Sequence, residues 1–449
     1  MILFKKCCIV FLCCTVLATP GYALDLLSAY DAALSNDPTF RAAMKENEAG
    51  QANRMIGRSS LMPRLSGTYT QQANDSKVNG PAYTNGPYTT FSEAYPSTNG
   101  GVNLTQPLFN LQAIAQYRQG MAQADQSQAK FLFQTQDLLV RVAQAYTDLL
   151  YAQDQLRFIQ KQKTAYQEQI KVNTRTFELG EGTITDKLES LSAYELADAQ
   201  MIEAENDVEN TKRKLEALIG QQLSSVQVVK KLQPGFKPAA LAPNAFDYWK
   251  DAALNSNPEI QMGQFQIESN RQEYLKNNAA HAPTVNFIAG WNVQKSNFVS
   301  SIYQNSNTTS AGLQLSLPIF SGGETQGRAA QAAANYEKSK AELDIAKERV
   351  ITELRKQFDA SASGQRRIAA LERAVESATE LTRAMRSSVR GGVRINLDIL
   401  VAEKTLATAQ RDLAQAKYNY MLSYIKLKQQ AGNLTIEDLE RVAVNFYKD

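Results

Sequence analysis

Residues 392–432 read GVRINLDILVAEKTLATAQRDLAQAKYNYMLSYIKLKQQAG. Within them Ile399, Leu406, Leu413, Tyr420 and Leu427 recur every seven residues, and Ala402, Ala409, Ala416, Ser423 and Gln430 follow three places behind. Spacings of three and four set both files on one helix face. A sustained period of 3.5 predicts a helix lying along neighbours in a left-handed supercoil. The stretch is written twice, because 212 positions earlier Gly180, Asp186 and Gly220 stand where the later copy has Gly392, Asp398 and Gly432. The earlier files are Lys187, Tyr194, Met201, Val208 and Leu215, with Ser190, Ala197, Ala204, Thr211 and Leu218 beside them.

The duplication reaches outward from these helices. The run from Asp31 to Pro38 recurs from Asp251 to Pro258, an offset of 220, as does Pro63 at Pro283. Pro107-Leu108-Phe109 recurs as Pro318-Ile319-Phe320 at an offset of 211, so the first half carries an insertion of 9 between its prolines. Two repeats follow, over 24–232 and 246–449, joined by a proline-rich linker over 233–245. Each repeat predicts a short helix opening on Pro38 or Pro258, and a β-hairpin over about 63–107 or 283–318. A long helix is expected over about 112–179 or 324–389, and the heptad helix over about 186–220 or 398–431. At 1.5 Å per residue the long helix spans on the order of 100 Å, a length most soluble domains have no use for.

Composition narrows the class. The chain has 449 residues and a net charge of +3, so nothing electrostatic points to nucleic acid. Lys5 and Lys6 precede an apolar run from Cys7 to Leu17, and Gly21-Tyr22-Ala23 offers a small-x-small cleavage site, so residues 1–23 read as a secretory signal. All four cysteines (Cys7, Cys8, Cys13 and Cys14) fall inside it. The exported chain would hold none, which excludes disulfide scaffolds and thiol chemistry. The residues before those cysteines do not suit acylation, and no later run is long enough for a membrane helix. His281 stands alone, and no phosphate loop, dinucleotide fingerprint or Gly-x-Ser-x-Gly elbow occurs, so no enzyme and no cofactor is expected.

The hairpins alternate with period two. Val285, Phe287, Ala289, Trp291 and Val293 share one face; Asn286, Gly290, Asn292 and Gln294 share the other, with Ile288 the exception. Leu313 and Leu315 continue the pattern on the return strand, as Leu65, Gly67 and Tyr69 do in the first half. A half-buried soluble strand and a lipid-facing barrel strand both fit. Export favours the second, as do the long polar tips over 72–100 and 295–309. Two hairpins make four strands, and a closed membrane barrel needs about eight or more. If these strands span a bilayer, one chain cannot close the barrel and must share it with copies of itself.

With these pieces together, the chain resembles the TolC-type outer-membrane efflux and secretion ducts over nearly its whole exported length. The resemblance rests on the duplication, on residues 180–186 and 392–398, and on Ala416-Lys417-Tyr418-Asn419-Tyr420 and Gly432-Asn433-Leu434. It implies a mostly α fold with a membrane β part. Three chains would form an α-helical barrel continuous with a shared twelve-stranded β-barrel, four strands from each. It implies a Gram-negative outer membrane extending into the periplasm, a periplasmic adaptor and an inner-membrane transporter of ABC, RND or MFS type. The expected function is a passive exit duct of a tripartite efflux or type I secretion system. A structural coiled-coil envelope protein without a pore is the alternative.

The resemblance also implies a gate at the periplasmic tip. Asp398 matches a ring of aspartates that narrows the mouth and could attract cations, although Val401 stands where the family has a second aspartate. Arg394 matches an arginine that links neighbouring helix pairs, with Thr185 and Asp186 as its partners; Val389 replaces the tyrosine link. From the residues alone, Asp186 with Glu189 reads as a capping box and Arg394 as an exposed turn residue. Tyr69, Val285, Phe287, Trp291, Leu313 and Leu315 are the expected lipid-facing strand positions, with Trp291 suited to the membrane interface.

Overall fold

The computed structural model describes residues 24–81, 86–223, 229–233, 235–238, 241–298 and 301–447. The expected signal, with its four cysteines and cleavage site, lies outside them. In chain order the elements are α1 (Leu26–Asn36), α2 (Pro38–Ser59), β1 (Arg64–Pro81), β2 (Tyr88–Phe109), α3 (Leu111–Glu178), α4 (Ile184–Ile219) and β3 (Lys231–Leu232). They continue as α5 (Phe246–Ser256), α6 (Pro258–Asn278), β4 (Thr284–Phe298), β5 (Ser301–Ser316), α7 (Glu324–Arg390), α8 (Asn396–Gln430), α9 (Ile436–Ala443) and β6 (Phe446–Tyr447).

The reading of one short helix per repeat is incomplete, since α1 and α5 precede the proline helices. Asp37 closes α1 and caps α2 through Thr39 and Phe40; Asn257 does the same between α5 and α6. The proline that follows each has no N–H for the earlier helix, so the chain must turn there. The expected polar tips also differ from loops. Residues 72–81 pair with 88–97, and Lys295 pairs with Asn305, so the strands run on as ribbons. Polar side chains leave backbone pairing intact.

The four long strands form one sheet in the order β1-β2-β4-β5. Each continues into a helix, and the helices keep that order: α2 packs on α3, α3 on α6, and α6 on α7. Further down, α3 pairs with α4 and α7 with α8, which meets α3 as well. Both tight turns at the far end place a glycine in the left-handed region, Gly180 at φ +74° and Gly392 at +72°. A side chain there would be strained, which fixes glycine at both sites.

The main core sits midway along the helices. There Tyr146, Leu149 and Leu150 of α3 meet Tyr418, Met421 and Ile425 of α8 under a belt made by α1, α9, β3 and β6. Along α8 the first turns bury Asn396, Ile399, Leu400, Ala402 and Glu403, two of them in the heptad files, while residues 414–429 bury several faces under the belt. The Tyr146 hydroxyl lies 3.1 Å from the carbonyl oxygens of both Leu24 and Lys230, stitching the start of the described chain to β3's approach.

A buried ion pair holds α2 against α3. Asp37 is almost fully buried, and one carboxylate oxygen accepts from Arg141 Nη2 at 2.7 Å. Burial alone would push its pKa up. The Arg141 guanidinium and the N–H groups of Phe40 and Thr39 outweigh burial and hold the carboxyl below its usual range. Because the folded pKa lies below the unfolded one, this stabilisation is present above the unfolded value and is lost as pH falls through the folded one. The second repeat carries the ion pair with altered partners, Glu259 of α6 with Arg349 of α7. Replacing Arg141 with alanine strands a buried carboxylate and is expected to destabilise the chain by about 3–5 kcal/mol, read as a fall in thermal unfolding temperature.

Candidate functional site

The sheet brings all six expected membrane positions to one face. Register links Leu65, Leu104, Ala289 and Ala311 across the strands, and Gly67, Val102, Trp291 and Thr309 in the next row of the same face. Phe287 stands opposite Leu313 and Val285 opposite Leu315, while Tyr69 shares a row with Val293 through Gly100. The opposite face aligns Ser66, Asn103, Gly290 and Ser310. Four separate alternations are therefore in phase, and between the rows of Val285 and Val293 the shared face is mainly apolar and carries no charged side chain.

That surface is exposed in the single chain: Leu65 and Tyr69 at 72%, Leu313 at 70% and Leu315 at 69%. From Val285 to Val293 it covers nine residues of β4. At about 3.3 Å per residue and a tilt of ~40°, this is a band roughly 20–25 Å tall, the height of a barrel's lipid belt. Trp291 lies near one edge of the band, and its indole N–H donates to Asn307 Oδ1 at 2.6 Å. No helix among the described residues is long and apolar enough to cross a membrane. Among the described residues neither sheet edge, β1 or β5, has a partner strand.

At the other end lie the expected gate residues. The capping box is one step earlier than the sequence suggested: Thr183 is the cap and Asp186 sits at its third position, its Oδ2 accepting from Thr183 Oγ1 at 2.6 Å. A residue can cap only from extended backbone before the first turn, and Thr183 has it while Asp186 is already helical. Within one chain Arg394 pairs with Asp398 at 3.7 Å, on the same turn and well exposed, and is not brought onto Thr185 or Asp186.

A buried polar node stands beside them that the sequence reading missed. The Asn396 amide at the start of α8 donates to the Asp186 carbonyl at 3.3 Å and to Ser190 Oγ at 3.1 Å. Asn173 of α3 donates to the same two acceptors at 3.1 and 2.7 Å. The node ties α3, α4 and α8 together where the helix pairs converge. Ser190 lies in the small-residue file, which was the available signal; Asn173 is hidden in a polar run. Above the node, Arg386 of α7 donates twice to Glu403 of α8, at 3.0 and 2.6 Å. A groove of about 820 Å³ opens between α4 and α8, lined by Phe158, Tyr166, Leu188, Leu196 and Leu400 among others.

Comparison with known proteins adds to this geometry. The outer membrane efflux protein family matches residues 29–221 and 249–433. The chain is 40% identical to the alkaline protease secretion protein AprF of Pseudomonas aeruginosa, over 96% of this chain and 89% of that protein. It is 35% identical to the proteases secretion protein PrtF of Dickeya chrysanthemi, over 94% and 91%. It is 25% identical to the outer membrane protein TolC of Escherichia coli, over 93% and 84%. Among solved structures, the Campylobacter jejuni CmeC outer membrane channel aligns with a TM-score of 0.79 at 17% identity, covering 94% of this chain and 90% of that one. The Vibrio cholerae outer membrane protein VceC aligns at 0.77 and 18%, covering 91% and 96%.

Proposed function

The chain belongs to the outer membrane efflux protein family, and we propose that within it this protein is the exit duct for a secreted protein. Its setting is the outer membrane. Three chains of four strands build the twelve-stranded barrel, and their helices carry the bore into the periplasm. The choice of cargo is carried by one observation: identity of 40% and 35% to two protease-secretion proteins, against 25% to the Escherichia coli TolC protein. An inner-membrane transporter of the ABC class and a periplasmic adaptor would complete the path. The duct itself supplies no energy.

The apolar face of the sheet meets lipid, with Tyr69, Val285, Phe287, Trp291, Leu313 and Leu315 on it. The polar face lines the bore. At the tip, three copies of Asp398 form a ring whose mutual repulsion disfavours a tight mouth unless cations or Arg394 offset it. Arg394 and Asp186 with Thr185 lie on the two helix pairs that must separate for the mouth to widen, and the adaptor engages this end. A strain lacking the gene is expected to lose one or more proteins from the culture medium while antibiotic susceptibility changes little. An unchanged set of secreted proteins together with antibiotic hypersensitivity would move the assignment to drug efflux.

A further inference from the structure

The groove between α4 and α8 opens on the side of the helical wall away from the belt. Tyr146 of α3 is bonded under the belt, and its heptad file runs on through 153 and 160. The groove residues Gln155 and Gln162 stand two places beyond that file, a rotation of about 200°. On α4, Ile219 packs in the belt core with α1, and its file comprises 198, 205 and 212. Leu196 and Glu203 line the groove two places before that file, again about 200° round. Two helices give the same answer independently. In the shared duct the belt wraps the outside, so the groove faces the bore.

Its floor and rims differ in chemistry. The floor is apolar, with Phe158 and Tyr166 from α3, Leu188 and Leu196 from α4, and Leu400 and Val401 from α8. The α4 rim carries Glu189, Glu203 and Asp207, and the α8 rim carries Lys404 and Arg411. Arg411 pairs with the adjacent Asp412 at 3.3 Å, and among the described residues no ion pair joins the two rims. One edge of the groove is therefore acidic and the other basic, over an apolar base.

Shape and charge select the occupant. Spread over the roughly 25 Å that these turns of α4 and α8 share, a volume of about 820 Å³ leaves a cross-section of ~30 Å². A helix about 10–12 Å across needs about three times that area, whereas a strand is about 4.8 Å wide. An extended chain also has N–H and C=O groups free along both edges, which a helix has used internally. The carboxylates of one rim accept from those N–H groups, and Lys404 and Arg411 donate to the carbonyls, whatever the sequence. Alternate side chains reach the apolar floor. We propose that the groove is a seat in the bore for an extended, partly apolar polypeptide segment in transit. This rests on the secreted-protein reading above.

Two measurements on assembled trimers in planar bilayers test it. The chain has no cysteine after position 14, so single cysteines report cleanly. Leu196→Cys, at a side chain 59% exposed, is expected to lose part of its current when a sulfonate-bearing thiol reagent is added. Ile202→Cys, 56% exposed on α4 but off the groove, is expected to keep it. Next, a capped ten-residue peptide of alternating valine and serine is added from the barrel side. It is expected to block the current in discrete events. In the double variant Leu196→Ser with Val401→Ser the events should shorten about tenfold, because apolar contact area is removed. Ile202→Ser should leave their length unchanged. No block by the peptide, or equal events in every variant, would overturn the seat. Current lost at Ile202→Cys and kept at Leu196→Cys would place the groove outside the bore and overturn it too. Block by tetraphenylphosphonium and not by the peptide would give the groove to a small amphiphilic cation instead. No current from unaltered trimers would defeat the duct reading itself.

Discussion

A Leu313→Arg chain is expected to disappear from the assembled outer-membrane fraction, while Gln314→Arg, one residue away, persists. The two positions are adjacent on β5 and face opposite sides of the sheet. Leu313 stands on the apolar face opposite Phe287, one row from the middle of the band. An arginine facing lipid near the bilayer midplane costs about 2–4 kcal/mol, and three copies bring the sum to on the order of 10 kcal/mol. Marginal assemblies do not absorb that. On the polar face the same charge meets water in the bore. Heat-modifiable migration of membrane extracts reads both variants. Equal loss, or equal tolerance, would show that the sheet does not separate lipid from water.

The second expectation concerns the tip, and magnitudes decide which residue to change. Asn396→Ala is expected to raise single-duct conductance more than Arg394→Ala does. The Asn396 amide is 4% exposed and serves two acceptors on α4. Asn173 still serves both acceptors in the variant, so the loss is that of two buried hydrogen bonds at about 0.5–1.5 kcal/mol each. The Arg394–Asp398 pair spans 3.7 Å with the arginine 57% exposed, and such pairs contribute about 0–1 kcal/mol. Since 1.4 kcal/mol is about tenfold in an equilibrium, three nodes lost together shift a closed–open balance by far more than three surface pairs. If Arg394→Ala opens the duct further, the restraint lies in contacts between chains that Arg394 makes on assembly.

The architecture was readable because period and repeat are global signals. Heptads at 187–215 and 399–427, strand alternation and paired prolines each recur over many residues, so no single position had to be interpreted alone. What escaped was local or depended on packing. Helices α1 and α5 are 11 residues each, and their short apolar faces are read easily as lead-in to the proline helices. The strands within the belt, β3 and β6, are two residues long, too short to show any alternation, and they lie over the core between α3 and α8. Asn173, Ser190 and Asn396 lie far apart in sequence and resemble surface or turn residues until three helices converge on them. The cap at Thr183 rather than Asp186 is a shift of one turn that only backbone dihedrals resolve.

The belt has a practical consequence for engineering. Leu24 bridges to Val229, and Phe446 pairs with Leu232, so the first and last described residues end on the same strap outside the helical wall. Ends that lie close together permit circular permutation. A short linker from 447 back to 24 would leave one strap continuous, and new ends could be opened in the linker before α5. Such a rewired gene would begin on the second repeat and finish on the first, turning an ancestral duplication into a swap of halves while every hairpin kept its place.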